Sequence, residues 1–276
     1  MGALADFQAV KNSVARGRAY PFTKNSITTA ANRPMSYWTA LPNAGATPSA
    51  AAACNANTTG ALLQEPKLSS LANSYFLTQA EISVATTAFT SLMLVDRLSH
   101  QGGLSGASTA TQTTNLPTAA LTRYTDGVGV MAALEIYSAL GSTASTATIS
   151  YTNQAGVSGR TSKPVVIGGA SDNTSSRFII ISLQDDDTGI RSVESVTLAA
   201  TTASAGNFGV TLFKPLMIFP NFSYVADQVQ PRTLNTLIGG FGCCPEIIDD
   251  ACLQLLGLSN STVVGVATGA MYLAEA

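Results

Sequence analysis

Charge is scarce in this 276-residue chain. Fourteen Lys and Arg stand against sixteen Asp and Glu, so charged residues are 11% of the sequence and the net charge is −2. An ordinary soluble domain carries roughly a quarter. A near-neutral chain without a basic cluster offers no footprint for nucleic acid, which is held by Lys and Arg that displace counterions. No run approaches about 18 consecutive apolar residues, so no apolar helix is expected to span a bilayer. The opening residues, MGALADFQAVKNSVARGR, place Asp6 early and lack an apolar core, and so do not read as a secretory signal.

Groups that carry chemistry are equally few. His100 is the only histidine, and a Ser-His-Asp triad would have to use it. Its context, RLSHQGG, is no nucleophile elbow, and no G-x-S-x-G occurs; a turn-capping or interface role is expected. There is no P-loop, and Gly102–Gly106 lacks the spacing of a dinucleotide fingerprint. Asp185, Asp186 and Asp187 form the densest acidic run, but consecutive side chains on an extended chain diverge, so a solvated turn is expected rather than a catalytic pair or a calcium loop. Of four cysteines, Cys54 lies in an Ala-rich stretch and Cys243, Cys244 and Cys252 cluster late. No zinc spacing is present, and buried free thiols are the expected state ahead of a disulfide. No cofactor and no metal is expected, and the chain does not read as an enzyme.

What the chain has is small and uncharged: about 60 Ser and Thr and about 40 Ala, with 46% hydrophobic residues overall. Low charge leaves little repulsion between copies, which fits a protein that assembles. Leu4, Phe7, Val10 and Val14 make one stripe of an N-terminal helix over residues 3–17, packed on its own domain or reaching a neighbour. Residues 22–62 read as an extended arm, in which Tyr37 and Trp38 either anchor the arm to the core or form an interface hot spot. Residues 69–98 fit helix or strand, with strand favoured for 92–98; Val130, Leu134 and Tyr137 likewise fit a helical face or a strand.

The middle is clearer. Residues 146–152, 165–167, 178–183, 190–198 and 208–213 are apolar or alternating runs separated by Gly, Asn and Asp turns, which indicates an antiparallel β-sandwich or barrel, jelly-roll-like. Residues 245–257 (PEIIDDACLQLLG) read as a C-terminal helix, with Pro in the first turn, acids following, Ile248, Cys252 and Leu255/Leu256 as its stripe and Gly257 as cap. Residues 262–273 read as a last strand that pairs in its own sheet or with a neighbour's edge. The expected organisation is helix and arm over 1–62, β-core over 63–220, and a helix–strand extension over 221–276.

The segments 95–106 (VDRLSHQGGLSG), 119–127 (AALTRYTDG), 134–137 (LEIY), 150–161 (SYTNQAGVSGRT) and 187–202 (DTGIRSVESVTLAATT) resemble virion structural proteins of tailed bacteriophages. The resemblance spans residues 1–215. It implies a virion location and a capsid decoration (cement) protein, a homo-oligomer of trimer type that grips the major capsid protein or neighbouring virion proteins through its arm and termini. The longer, helix-rich pattern of capsid shells is absent. A tail tube, adaptor or collar component that forms homo-rings is the alternative. A carbohydrate-binding β-sandwich is disfavoured, because sugar platforms lean on aromatic faces and Trp38 is the only tryptophan.

Overall fold

Runs in which aliphatic, aromatic and β-branched residues alternate with small polar ones suit a pleated surface buried on one side, and the computed structural model is built from strands. It describes residues 18–28, 30–63, 75–85, 90–219, 232–235, 245–260, 262 and 264–275. Seventeen strands, numbered along the chain, make three antiparallel sheets among these residues.

The first sheet runs β1 (Arg18–Thr28), β17 (Val264–Glu275), β4 (Tyr75–Ala85) and β14 (Arg232–Asn235), with β15 (Glu246–Ile247) also on β4. The second runs β11 (Phe178–Ile180), β7 (Met131–Ser138), β13 (Asn207–Phe219), β5 (Thr90–Leu104), β16 (Leu253–Ser259) and β2 (Arg33–Ser36), with β3 (Ala52–Ala53) also on β5. The third runs β10 (Val165–Gly168), β8 (Ala144–Asn153), β12 (Ile190–Leu198) and β6 (Gln112–Thr113), with β9 (Arg160–Thr161) on β8.

The second sheet serves two cores. At one end Leu92 and Leu94 of β5, with Leu253 and Leu255 of β16, pack against Phe22, Leu77, Ile82 and Met271 of the first sheet. At the other, Leu98 of β5, Leu134 and Ile136 of β7, and Phe208, Val210 and Leu212 of β13 meet Ile149, Tyr151, Val193 and Val196 of the third. β5 and β13 are long enough to reach both, and their pairing shifts register three times, bending the ribbon as bulges do. Pro215 is tolerated in β13 because it lies beyond the last β7 pairing, at Phe213, where the strand has a partner on one side only.

The mainly β, antiparallel architecture expected from the middle of the chain is present, and each of the five runs named there contains a strand. The open choice at 69–98 resolves, in its described part, as strands β4 and β5, strand being the expectation for 92–98, and that at 130–137 as strand β7. The final strand pairs within its own sheet, between β1 and β4.

The C-terminal helix is a correction. Residues 245–257 instead form β15, a turn at Asp249 and Asp250, and the start of β16. Leu253 and Leu255 enter one core while Leu256 joins a cluster on the other face of the sheet, a period of two that pairing with β5 and β2 imposes over the helical stripe. Gly257 is no cap: it sits in the strand against the Tyr37 ring. The N-terminal helix expected over 3–17, and Cys243 and Cys244, lie outside the described residues. Among these, the only helical turn is a single 3-10 turn at Leu116–Thr118.

The extended arm is also corrected. Within residues 22–62 β1 pairs with β17, β2 with β16 and β3 with β5, and the segment between β2 and β4 is tied down by Lys24. That side chain is buried, and among the described residues no carboxylate pairs with its ammonium; Nζ donates to the carbonyls of Ala40 (3.2 Å), Pro42 (3.0 Å), Asn43 (3.1 Å) and Gly60 (3.1 Å). Burial pulls its pKa down from 10.5 to about 8.

Lys24→Met takes a donor from four carbonyls and is expected to cost about 3 kcal/mol in urea denaturation at pH 7. Between pH 8 and 10.5 the unfolded chain holds a proton at Lys24 that the folded chain has released, so wild-type stability gains from this group as pH rises. The gap between wild type and Lys24→Met should therefore widen over that window; a gap that narrows contradicts the assignment.

Candidate functional site

Register places a continuous set of side chains on the face of the second sheet away from both cores. Ile218 pairs with Met93 and Met93 with Leu256, so the three share a side. Leu258 and Val95 follow two residues along their strands, and Phe213, Met131, Ala133, Ile180 and Phe178 continue the surface across β13, β7 and β11. Phe178 and Phe213 meet edge to face at 5.2 Å. The centre of this surface is buried, Met93, Met131 and Ile180 are half-buried, and Ile218 (56%) and Leu258 (45%) are exposed.

On the same face, two residues beyond Val95, stands Arg97. Its side chain is fully buried, and each of its nitrogens is answered. Nη1 donates to Glu135 Oε2 at 2.7 Å and Gln254 Oε1 at 3.2 Å, Nη2 to Tyr137 Oη at 3.0 Å and Nε to His100 Nδ1 at 2.9 Å. The Tyr137 and Thr211 hydroxyls donate hydrogen bonds to Glu135 Oε2, at 3.0 and 2.8 Å. Gln254 in turn donates to Ser36 Oγ at 2.7 Å. Trp38 closes the top, with the guanidinium carbon 4.0 Å from its ring centroid and His100 edge-on at 5.5 Å. The indole fits because Gly45 and Gly60 lie against it; a Cβ at either would overlap the ring. Burial alone would raise the Glu135 carboxyl, but Arg97 and the hydrogen bonds hold it below the ordinary glutamate value. Burial beside Glu135 pushes the Tyr137 hydroxyl up.

The neighbouring Asp96 forms a two-pronged pair with Arg123, from Nε to Oδ2 and from Nη2 to Oδ1, both at 2.8 Å. The same groups hold backbone: Asp96 Oδ1 accepts from the Cys252 N–H at 2.9 Å, and Arg123 Nη2 reaches the Cys54 carbonyl at 3.0 Å. Cys54 and Cys252 are free thiols and buried, as expected of them.

Tyr37 and Trp38 are therefore packed within their own chain. Tyr37 donates to the Gly265 carbonyl at 3.3 Å, and burial raises its hydroxyl to about 12. Leu4, Phe7, Val10 and Val14 lie outside the described residues. His100 is a buried acceptor for Arg97, neither a turn cap nor exposed. In the acidic run Asp185 is exposed and pairs with Lys163, but Asp187 is no solvated turn residue. It accepts from Tyr151, from Asn153 at 2.7 Å and from Arg160 at 2.9 Å, pinning the acidic turn to the β8–β9 hairpin. Composition gave no sign of the Arg97 centre, because its members come from β5, β7, β13, β16 and the segment after β2; the only local hint is a charged Asp96–Arg97 pair inside an apolar run.

A surface cavity of about 390 Å³ is lined by Asn25, Ile27, Thr39, Leu41, Ser175 and Ser176 among others. It has no titratable side chain, and the charged centres are closed to solvent. Among the described residues no cluster of three or more His, Cys, Asp or Glu is placed to hold a metal.

No known protein family and no curated protein matches the chain. Solved structures with some likeness include the VP2 subviral particle of infectious bursal disease virus, 8% identical over 94% of this chain and 81% of that one, with a TM-score of 0.22. The Gt strain of the same virus gives 9% identity over 94% and 80%, with a TM-score of 0.21. Its T=1 particles give 8% over 94% and 77%, at 0.22.

Arg97→Met strands a buried carboxylate and is expected to cost about 4 kcal/mol in urea denaturation, part of which the double variant Arg97→Met/Glu135→Leu returns. Because Glu135 titrates below its ordinary value of 4.5, its contribution is present above that pH and is lost as pH falls through the folded value. The acid limb of the stability curve should be shallower for Glu135→Gln than for wild type.

Proposed function

We propose that this is a non-enzymatic structural protein of a virus particle, which assembles with copies of itself through its β-sheets and decorates a bacteriophage capsid. The observation that carries this reading is the apolar face of the second sheet, where Ile218 and Leu258 stand in solvent beside the half-buried Met93, Met131 and Ile180. Scattered exposed aliphatics need no explanation, but a patch continuous with a buried cluster marks a surface meant to be covered. Low charge supports contact between like copies, and the phage-like segments supply the virion setting. Major capsid protein or neighbouring virion proteins are the partners in this reading; nucleic acid, membrane and cofactors have no part.

The arm is absorbed into the fold, so grip on the shell falls to the apolar face and to residues 1–17, whose stripe Leu4, Phe7, Val10 and Val14 is offered as a contact to a neighbour. A tail or collar ring built by strand addition is the second reading. It is favoured by β10, which ends the third sheet with Val166 half-exposed.

Light scattering on the purified chain, followed by imaging of emptied capsids mixed with it, separates the two. A trimer that coats heads at lattice positions supports decoration; rings of fixed symmetry that ignore heads support the tail reading, and a monomer that binds neither refutes both. Ile218→Asp/Leu258→Asp should leave the unfolding free energy within about 0.5 kcal/mol of wild type and abolish self-association. Retained association removes the apolar face from the mechanism.

A further inference from the structure

β3 and β16 share one edge of β5, the edge that β13 leaves free, and a cysteine stands where the two strands approach each other. Cys54, just past β3, donates its N–H to the Leu98 carbonyl at 2.8 Å. Cys252, just before β16, accepts from the Arg97 N–H at 2.9 Å. Successive residues of one strand thus hold the cysteines end to end, and the Asp96–Arg123 pair clamps the backbone of both. Both side chains are buried in one cluster with Trp38 and Ala61, and Cys54 Sγ lies 4.0 Å from the Ala52 carbonyl, to which it donates as a thiol.

The surroundings treat the two sulfurs differently. His100 Nδ1 accepts from Arg97 Nε, a nitrogen that does not give up its proton, so the imidazole carries its own proton on Nε2. His100 stands beside Cys54 and favours its thiolate. Cys252, His100 and the Arg97 guanidinium beside it hold the Cys54 thiol well below the ordinary value. Cys252, beside an anionic neighbour, is held well above it. One sulfur is poised as nucleophile and the other keeps its proton, the division of labour of an attacking and a resolving thiol.

We infer that Cys54 and Cys252 are an oxidative modification site, a dithiol that a hydroperoxide closes to an intrachain disulfide. The Cys54 thiolate attacks a peroxide oxygen; the O–O bond breaks, and the departing hydroxide takes a proton to become water. Cys252 sulfur then displaces the hydroxyl of the Cys54 sulfenic acid, and its own proton leaves with that hydroxyl as a second water. Two thiols lose two electrons, and hydrogen peroxide becomes two waters. A small neutral oxidant is the fitting reagent because both residues are buried. The bond joins the segment after β3 to β16, closing a long loop of chain. The pair stays open in a reducing compartment and closes outside it.

The test is peroxide treatment of the full chain carrying Cys243→Ser/Cys244→Ser, followed by alkylation under denaturing conditions, intact mass and peptide mapping. The expected result is loss of two hydrogens, a Cys54–Cys252 linked peptide, and a raised thermal midpoint that dithiothreitol reverses. Cys252→Ser should instead leave a dimedone-reactive sulfenic acid at Cys54, and His100→Asn should slow closure several-fold. Mapping the wild-type chain gives the same answer should the serine variants fail to fold. Two alkylatable thiols after treatment, or a bond that joins separate chains, overturns the proposal.

Discussion

Arg97 lies on the middle of β5 with its side chain fully buried, and a guanidinium there demands acceptors on every side. Glu135 supplies the charge; Gln254, Tyr137 and His100 supply the remaining acceptors, and Trp38 covers the plane. These partners come from β7, β16, the segment after β2 and β5 itself. Satisfying one side chain therefore fixes which strands are neighbours and requires the segment after β2 to cross the sheet. The glycines at 45 and 60 follow from that crossing, since the indole leaves no room for a Cβ. Lys24 then holds the same segment from the other side through four carbonyls. A buried ion pair adds little net stability over an apolar substitute, but a half-made one is costly, so the centre acts against alternative registers of β5, β7 and β16.

That role matters because the second sheet has two cores to serve. Leu94 and Leu98 stand four residues apart on β5 and belong to different cores; between them lie Asp96 and Arg97. Apolar side chains there could slide from one core into the other at small cost. Two charges that each fit only one set of partners cannot. The change of core and the change of chemistry fall at the same point, next to the place where the β5–β13 register shifts between Leu212 and Phe213.

The sequence makes the third sheet legible, and the reason is physical. Residues 146–152 and 190–198 alternate because one face of β8 and β12 is buried and the other is not, and their turns need Gly or Asn where the backbone demands it. Residues 245–257 mislead for the converse reason. Nearly every side chain from Ala251 to Gly257 is buried, so no period shows, and Pro245, the acids and Gly257 supply the outline of a capped helix. Residues 22–62 read as an arm because Pro and Ala runs hide short strands whose partners lie far along the chain in β5, β16 and β17. The Arg97 centre was out of reach for the same reason: its spacing exists only across strands.

The scarcity of charge in the composition understates how neutral the surface is. Of thirty charged residues, fourteen Lys and Arg and sixteen Asp and Glu, at least seven are buried: Lys24, Asp96, Arg97, Arg123, Glu135, Asp172 and Arg177. A chain that spends its few charges inside keeps little to repel a second copy. The apolar face alone is a modest anchor, since Ile218 and Leu258 are its only strongly exposed large residues on described strands of that face, whereas a stable pair of proteins buries about 1,200–2,000 Å². Weak, uncharged and repeatable contacts are poor tools for a solitary dimer. On the proposed reading they suit a lattice, where each contact is multiplied by its neighbours and the effective concentration of the next copy is set by geometry.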